Sequence, residues 1–489
     1  MTEWLFELES RSSEISPEDL VLTRVEGVET LSDLYRYELS FTVVGDAGLS
    51  PEIQQDLLRN PCRVRFGRVE DPEEVHGRLC RIRMHSAETA RDARFTATLV
   101  PRLWTTTMVH RSRVFQDLDV LGIVQAVLAE HGLRPDEGLE LRTEGDYPTS
   151  EYTVQYQETD FDFINRLMEH FGVYYFFRQL PDGESMVVVD GNRGLDRRFA
   201  DDPEPVQYFR RDLPPGSQAA VHSLERVVEP RPQGVVLRDY NWRTPTVQLH
   251  SEAPCDAVTG VGFHNHYGEH YKSPGEGAFL AQLRAEGLLA DQERYAMETT
   301  IPHLAPGHRF ELTGHPFGEM DQEYAVTSVR RRAVQGEHAD EARSYAEAIE
   351  AIPYRVTYRP PLRTARPRIL GLMHGHVDGE VPGTAAPIDE YGRYKVLLPF
   401  DLVGEGGGKA SRWIRLAQAA SGPGFGIHFP LHIGVEVAIA HVDGDPDRPI
   451  IVASPPNAET ITPVNRDNAT QSKIRTQTGI RITFDDDVQ

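Results

Sequence analysis

Between residues 369 and 455, apolar runs and turn residues alternate so regularly that few folds can accommodate them. Arg393-Tyr394-Lys395-Val396 alternates polar with apolar, the period-2 sign of a half-buried strand. Residues 411–418 (SRWIRLAQ) do the same around Trp413 and Ile414, 434–442 (GVEVAIAHV) form a third run, and 449–453 (PIIVA) a fourth. The turn-makers DEYG (389–392), 404–408, 422–426 and DGDP (443–446) lie between the runs, where Gly and Pro punctuate most strongly. With 369–377 as the first strand, the stretch holds five short strands in about ninety residues, the count of a five-stranded Greek-key barrel of the OB type.

A chain of 489 residues has room for about three domains. Lys and Arg number 51 against 75 Asp and Glu, a net charge of −24, which repels phosphate backbones and anionic lipid. The charge argues against nucleic acid or a membrane as the main partner, and no apolar run approaches a membrane span. The N-terminus (MTEWLFELESRSSE) carries acids where a signal peptide needs a basic segment and an apolar core. Cys62, Cys80 and Cys255 are odd in number and widely spaced, which fits a reducing cytosolic origin better than a disulfide framework.

Residues 1–105 read as a β-rich segment, with strands near 20–25, 35–44, 62–66, 78–84 and 95–100. The period then changes. Val120, Ile123, Val124, Val127 and Leu128 share one helical face, with Gly132 as the stop. A second helix starts at Thr159, which has capping-box spacing to Asp162, runs through Phe161, Ile164, Leu167, Met168 and Phe171, and ends at Gly172. The strand 173–177 and its return at 186–190 complete an α/β unit, 106–204. Residues 205–355 are again mostly strands, with one helix near 276–294 whose stripe is Phe279, Leu280, Leu283 and Leu288. Two β-rich segments flanking an α/β insert suggest an internal duplication. A proline-rich connector (356–367) leads into the barrel domain (368–456), followed by a polar linker (457–478) and a last strand in 479–489. In that strand Ile480 and Ile482 alternate with Arg481 and Thr483 before Phe484 and Asp485-Asp486-Asp487. One strand cannot stand alone in water, so it is expected to be completed by other copies of the chain.

Several motifs in fixed order carry a resemblance to one family. Glu158-Thr159-Asp160-Phe161-Asp162-Phe163 through Tyr174-Tyr175-Phe176-Phe177 resembles the signature of VgrG proteins, the spike and hub of type VI secretion and related contractile injection machines. Pro306-Gly307-His308-Arg309-Phe310 with His315-Pro316 and Tyr324 resembles its next landmark. Asp389-Glu390-Tyr391-Gly392-Arg393-Tyr394-Lys395-Val396, Trp413-Ile414-Arg415, Gly424-Phe425-Gly426, Gly434-Val435-Glu436-Val437 and Gly444-Asp445-Pro446-Asp447-Arg448-Pro449 resemble its OB domain. Residues 479–486 resemble the lip of its triple-stranded β-helix, although the family's needle is usually much longer. The resemblance implies a mainly β fold with α/β insertions: two hub barrels, an OB-fold barrel and the start of an intertwined triple-stranded β-helix. It further implies a homotrimer that adapts a sixfold inner tube to a threefold needle and meets baseplate components. A tip-sharpening protein and effectors are further implied partners, and the target membrane is met only mechanically. Such a protein assembles in the cytoplasm and is ejected on contraction.

The residues that resemble chemical sites each have a plainer reading. His264, His266 and His270 lie close enough for a metal, but in a Gly-rich segment without a clear fourth ligand. His374 and His376 share one strand face and read as a solvated pair. The glycines of 422–426 surround Pro423 with no helix after them, which rules against a phosphate cradle, and Ser421 lacks a nucleophile-elbow context. Asp485, Asp486 and Asp487 read as a solvated strand end rather than a cation site. Glu158, Asp160 and Asp162 resemble an acid/base group, yet Asp160 and Asp162 fall where a helix N-terminus favours acids. The expectation is therefore no enzyme, no catalytic residue, no metal and no cofactor. The competing readings are a hub-fused wall hydrolase, for which 457–478 is too short to hold a domain, and a monomeric OB-type oligosaccharide or nucleic-acid binder, which lacks a basic, aromatic groove.

Overall fold

The computed structural model describes residues 4–10, 16–44, 50–85, 93–198, 205–209, 220–335, 344–402, 404–410 and 412–487. Ser411, expected to open a barrel strand, and Val488 and Gln489 of the expected needle lie outside them. The chain forms two compact units that do not follow chain order. One comprises 1–109, 120–148 and 159–365; the other comprises 110–119, 149–158 and 366–489. The segment expected as a continuous α/β unit, 106–204, thus contributes to both.

In the first unit strands from both β-rich segments join in one sheet of 13 strands, while Gly234–Asp239, Leu249–Pro254 and Phe263–Tyr267 form a separate three-stranded sheet. Trp4–Ser10, Pro61–Arg68, Asp71–Met84, Arg94–Val100, Arg36–Val43 and Leu20–Thr30 pair in that spatial order. Leu20–Thr30 then pairs antiparallel with Glu323–Val334, from Arg24 opposite Val334 to Thr30 opposite Ser328. Beyond this seam come Ser344–Pro353, Glu293–Thr299, Ala220–Val228, Val206–Tyr208 and His308–Thr313. His308–Thr313 pairs with Val206–Tyr208 on one side and Glu323–Val334 on the other, so six strands close a ring. Its interior is apolar, filled by Tyr295, Met297, Phe310, Leu312, Tyr324 and Val326. Closure and the seam leave these strands few unpaired edges, which a β-rich protein must cover.

The helices lie on this framework. Val120–Glu130 buries the five predicted residues. Asp160–His170 starts at Thr159, whose hydroxyl accepts the Asp162 N–H at 3.0 Å, and Gly172 takes φ +68° after it. Phe163 belongs to the buried face as well, one position off the predicted stripe. The helix expected over 276–294 spans Pro274–Ala290, because Glu293 already begins a strand. Leu280 and Leu283 are buried against Val235, Leu237 and Leu249, Ala281 and Ala285 complete the stripe, and Phe279 is exposed.

In the second unit Met373–Val377, Val396–Leu397, Arg415–Leu416, Glu436–His441 and Pro449–Ala453 form the five-stranded sheet the sequence predicts. Tyr394 and Ile414 exchange both backbone hydrogen bonds, at 2.9 and 2.8 Å, and this bridge joins the two ends of the strand order into a barrel. Val377, Val396, Ile414, Val437, Ile439 and Ile451 fill it. Tyr152 and Val154, more than 200 residues upstream in sequence, are buried in the same core, and Asp447 accepts the Val154 N–H at 2.7 Å. The Gly-rich loop is fastened from within the barrel: Asp378 accepts the N–H groups of Gly407, Gly408 and Ala410 at 3.0, 2.8 and 3.1 Å.

Candidate functional site

Two places in the fold stand out: a buried ionic cluster across the sheet seam, and the C-terminal hairpin. At the seam Arg331 is almost wholly buried, with side-chain exposure of 4%. Its guanidinium reaches Glu29 and the carbonyl of Leu304, lies 2.9 Å from both Glu347 and the Tyr37 hydroxyl, and 3.8 Å from Glu73. Glu29 and Glu73 come from the first β-rich segment, Arg331 and Glu347 from the second, so the cluster bonds the two halves. Gly27 makes the approach possible, since a Cβ there would fall 2.1 Å from the Tyr37 ring. His303 supplies a second cation: its backbone N–H donates to Glu73 at 2.7 Å and its Nε2 lies 2.5 Å from Asp71. The bond to Glu73 holds the His303 imidazolium up to about 9. Burial alone would raise the Glu73 pKa, but Arg331 and His303 override it and bring it down to about 2. Among the described residues Glu347 has only the shared Arg331 and a Tyr345 hydroxyl at 3.0 Å, and its buried Oε1 has no partner. Burial therefore dominates there and pushes Glu347 up to about 7. Alternation alone marks these strand residues as inward or outward; it does not reveal that Glu29, Glu73, Arg331 and Glu347 meet.

The C-terminal strand was expected to lack any neighbour in its own chain. It has one: Gln471–Arg475 pairs antiparallel with Arg481–Asp485. The stretch 457–478 is therefore not all linker; a single isoleucine, Ile474, between Lys473 and Arg475 is too brief an alternation to announce a strand. Pairs Ser472–Phe484 and Ile474–Ile482 fall on one face of the hairpin, and Arg475 opposite Arg481 on the other. Every residue of Arg481–Asp485 is exposed, with Ile482 at 54% and Phe484 at 64%. The turn touches the barrel through Gln477, whose Oε1 is 2.6 Å from His432 Nε2 and whose Nε2 donates to Gly383 at 3.3 Å. A two-stranded hairpin with an uncovered apolar face and opposed arginines is marginal in water.

The other singled-out residues separate. His264 and His266 share an exposed strand, with ring centroids 6.1 Å apart. His270 sits at φ +66°, its N–H donating to Asp239 at 2.5 Å. His374 Nδ1 lies 2.5 Å from Glu436, whose pKa is lowered first by Asn457 and then by His374. Ser421 pairs with Gly426 and Gly422 with Phe425 in a tight hairpin turned by Gly424 at φ +76°. Asp485 accepts from Gln471 at 2.7 Å, the main cause of its lowered pKa. Asp160 is fully buried and lies 2.9 Å from His131 Nε2, while Thr105 Oγ1 lies 3.1 Å from His131 Nδ1. This Thr–His–Asp chain ties the 3-10 turn Arg102–Met108 to the two helices. Two motifs distant in sequence meet: Gly307, at φ +88°, lies against Phe176, and a Cβ there would be 2.4 Å from its ring.

Residues 28–337 match the family described as phage tail baseplate hub (GPD), and residues 383–454 match the type VI secretion system/phage-baseplate injector OB domain. The type VI secretion system spike protein VgrG1b of Pseudomonas aeruginosa is 30% identical over 477 residues, covering 95% of this chain and 62% of the relative. VgrG1a of the same organism is 29% identical over 95% of this chain and 72% of its own length. The chain thus spans about two thirds of these relatives. Among solved structures, an E. coli component of the type VI secretion system that resembles the T4 tail proteins gp27 and gp5 aligns with a TM-score of 0.67. It is 24% identical, covering 92% of this chain and 99% of that one, and so shares the fold.

Proposed function

The chain belongs to the phage tail baseplate hub family, among the VgrG-type spike and hub proteins of type VI secretion, and from that premise we propose that three copies form its working unit. The observation that carries this reading is the uncovered face of the C-terminal hairpin. Ile474, Ile480, Ile482 and Phe484 are 46%, 73%, 54% and 64% exposed. Fully burying such a side chain is worth about 1.5–3 kcal/mol, so at these exposures identical hairpins packed about a threefold axis gain roughly 4–7 kcal/mol per chain before ordering costs. Two β-rich halves per chain give six in a trimer, matching a sixfold tube above a threefold needle. The buried seam lets the halves of each subunit move as one under load.

The action is mechanical: contraction drives a stiff trimer outward from a cytoplasmic assembly, with effectors or a tip protein carried along and the target membrane met by force. The reading assigns no catalytic residue, metal or cofactor to this chain. No helix among the described residues is long and apolar enough to cross a membrane. The test is the solution mass by sedimentation equilibrium, for the parent chain and for Ile482→Asp with Phe484→Asp. Three chains for the parent and a shift toward one for the variant are expected. A parent that sediments as one chain at assembly concentrations sinks the reading.

A further inference from the structure

Alternation along the strand Met373–Val377 puts His374 and His376 on one face, and both are exposed. In sequence they read as a solvated pair; the sheet register supplies what that reading lacks. In the antiparallel pairing with Glu436–His441, His376 stands directly opposite Glu436, where the Cβ atoms of a cross-strand pair are about 5 Å apart. His374 stands opposite Ala438, whose methyl group leaves that part of the face open. The Glu436 carboxylate lies 2.5 Å from His374 Nδ1, so one carboxylate serves a face that carries two imidazoles.

That carboxylate is held from behind. Asn457 Nδ2 donates to Glu436 Oε2 at 2.8 Å, and Ser454 Oγ donates to the Glu436 backbone carbonyl at 2.8 Å. The Glu436 side chain is 18% exposed, against 65% for His374. Outer hydrogen bonds of this kind orient metal ligands and fix which oxygen faces the ion. His376 has no hydrogen-bond partner among the described residues, so its ring is free to turn toward the carboxylate. Two ligands of a tetrahedral ion with bonds of about 2.0–2.1 Å stand roughly 3.3 Å apart. The His374–Glu436 contact therefore has to open by less than about 1 Å to admit one. Two imidazole nitrogens, one carboxylate oxygen and a water make a four-coordinate zinc shell, whereas calcium and magnesium take oxygen ligands.

We infer that His374, His376 and Glu436 form a zinc site on the outer face of the barrel, with Asn457 as its outer support. The ion would join the strand Met373–Val377 to Glu436–His441 through side chains as well as backbone. This goes beyond the spike reading, which needs no metal, and it does not depend on the number of copies. The probe is Zn2+ alone, titrated into the full, tag-free chain after chelator stripping, in competition with a chromophoric zinc chelator. One zinc per chain with low-micromolar or tighter affinity is expected. Affinity should fall as pH drops below about 6.5, where protons compete for the imidazoles.

His374→Ala, His376→Ala and Glu436→Gln should each weaken zinc binding at least about tenfold, and Asn457→Ala about tenfold through the carboxylate it orients. His376→Ala removes no hydrogen bond of the metal-free chain, so its melting temperature without zinc should equal the parent's, which guards against a folding defect. Added zinc should raise the melting temperature of the parent and not that of His376→Ala. His264→Ala with His266→Ala, the other exposed pair, should leave zinc affinity unchanged. Absence of stoichiometric zinc binding into the high-micromolar range overturns the proposal. Zinc that stays bound when His374 and His376 are both alanine does so too.

Discussion

Replacing Glu347 by Gln isolates the electrostatics of the seam. Glu347 sits 3% exposed with Oε1 unpartnered and faces Arg331, Glu73 and Tyr345, while Glu29 and His303 complete the cluster. Its pKa in the folded chain is about 7, against 4.5 for the free side chain. A carboxyl raised in this way binds its proton more tightly when folded, so its contribution is full below about pH 4.5 and is lost as pH rises through 7. At about 1.4 kcal/mol per unit, the shift corresponds to roughly 3 kcal/mol between pH 5 and 8. The amide has the same shape and does not titrate. Thermal unfolding of parent and Glu347→Gln at pH 5, 6, 7 and 8, at fixed ionic strength and protein concentration, should show the parent losing several degrees toward pH 8. The variant should lose clearly less. His303 titrates in the same direction: its raised pKa contributes below about 6.5 and is lost through about 9, so a residual slope persists in the variant. Glu73 acts oppositely, contributing above about 4.5 and losing that contribution as pH falls toward 2. Identical slopes for parent and variant refute the reasoning.

Gly307→Ala should destabilise the first unit by about 2–4 kcal/mol, because it combines a positive φ with a Cβ directed into the Phe176 ring; chemical denaturation measures it. Asp160→Asn should cost about 1–3 kcal/mol by weakening the buried bond to His131, and Thr159→Ala about 1 kcal/mol by removing the cap at the same helix. Additivity of these two in the double variant would argue against a shared network. Arg331→Met should leave three buried acids without their common cation and cost at least about 3 kcal/mol, seen as early unfolding at pH 8 and less so at pH 5.

Much of this molecule is fixed by local chemistry that the chain spells out in order. The five barrel strands, the cap at Thr159, the stop at Gly172 and the buried stripe of Val120–Glu130 each follow from period, capping or glycine conformation within a few residues. The motif order also carried the family, because Asp389, Gly392 and Arg393 make their turn from adjacent residues, with Asp389 accepting the Arg393 N–H at 2.9 Å. What tertiary structure decided is every partnership across long sequence separations. Leu20–Thr30 zips to Glu323–Val334, Glu29 finds Arg331, and Tyr152 enters a barrel built more than 200 residues later. Alternation tells which face of a strand is buried but not which strand lies beside it. The hairpin partner of the last strand is hidden for a different reason, since Ile474 between Lys473 and Arg475 is too short an alternation to mark a strand. Charge shows the limit most plainly: a glutamate reads the same in sequence whether exposed on a strand, like Glu311, or held across a seam, like Glu347, and only the neighbours brought by folding set its proton affinity.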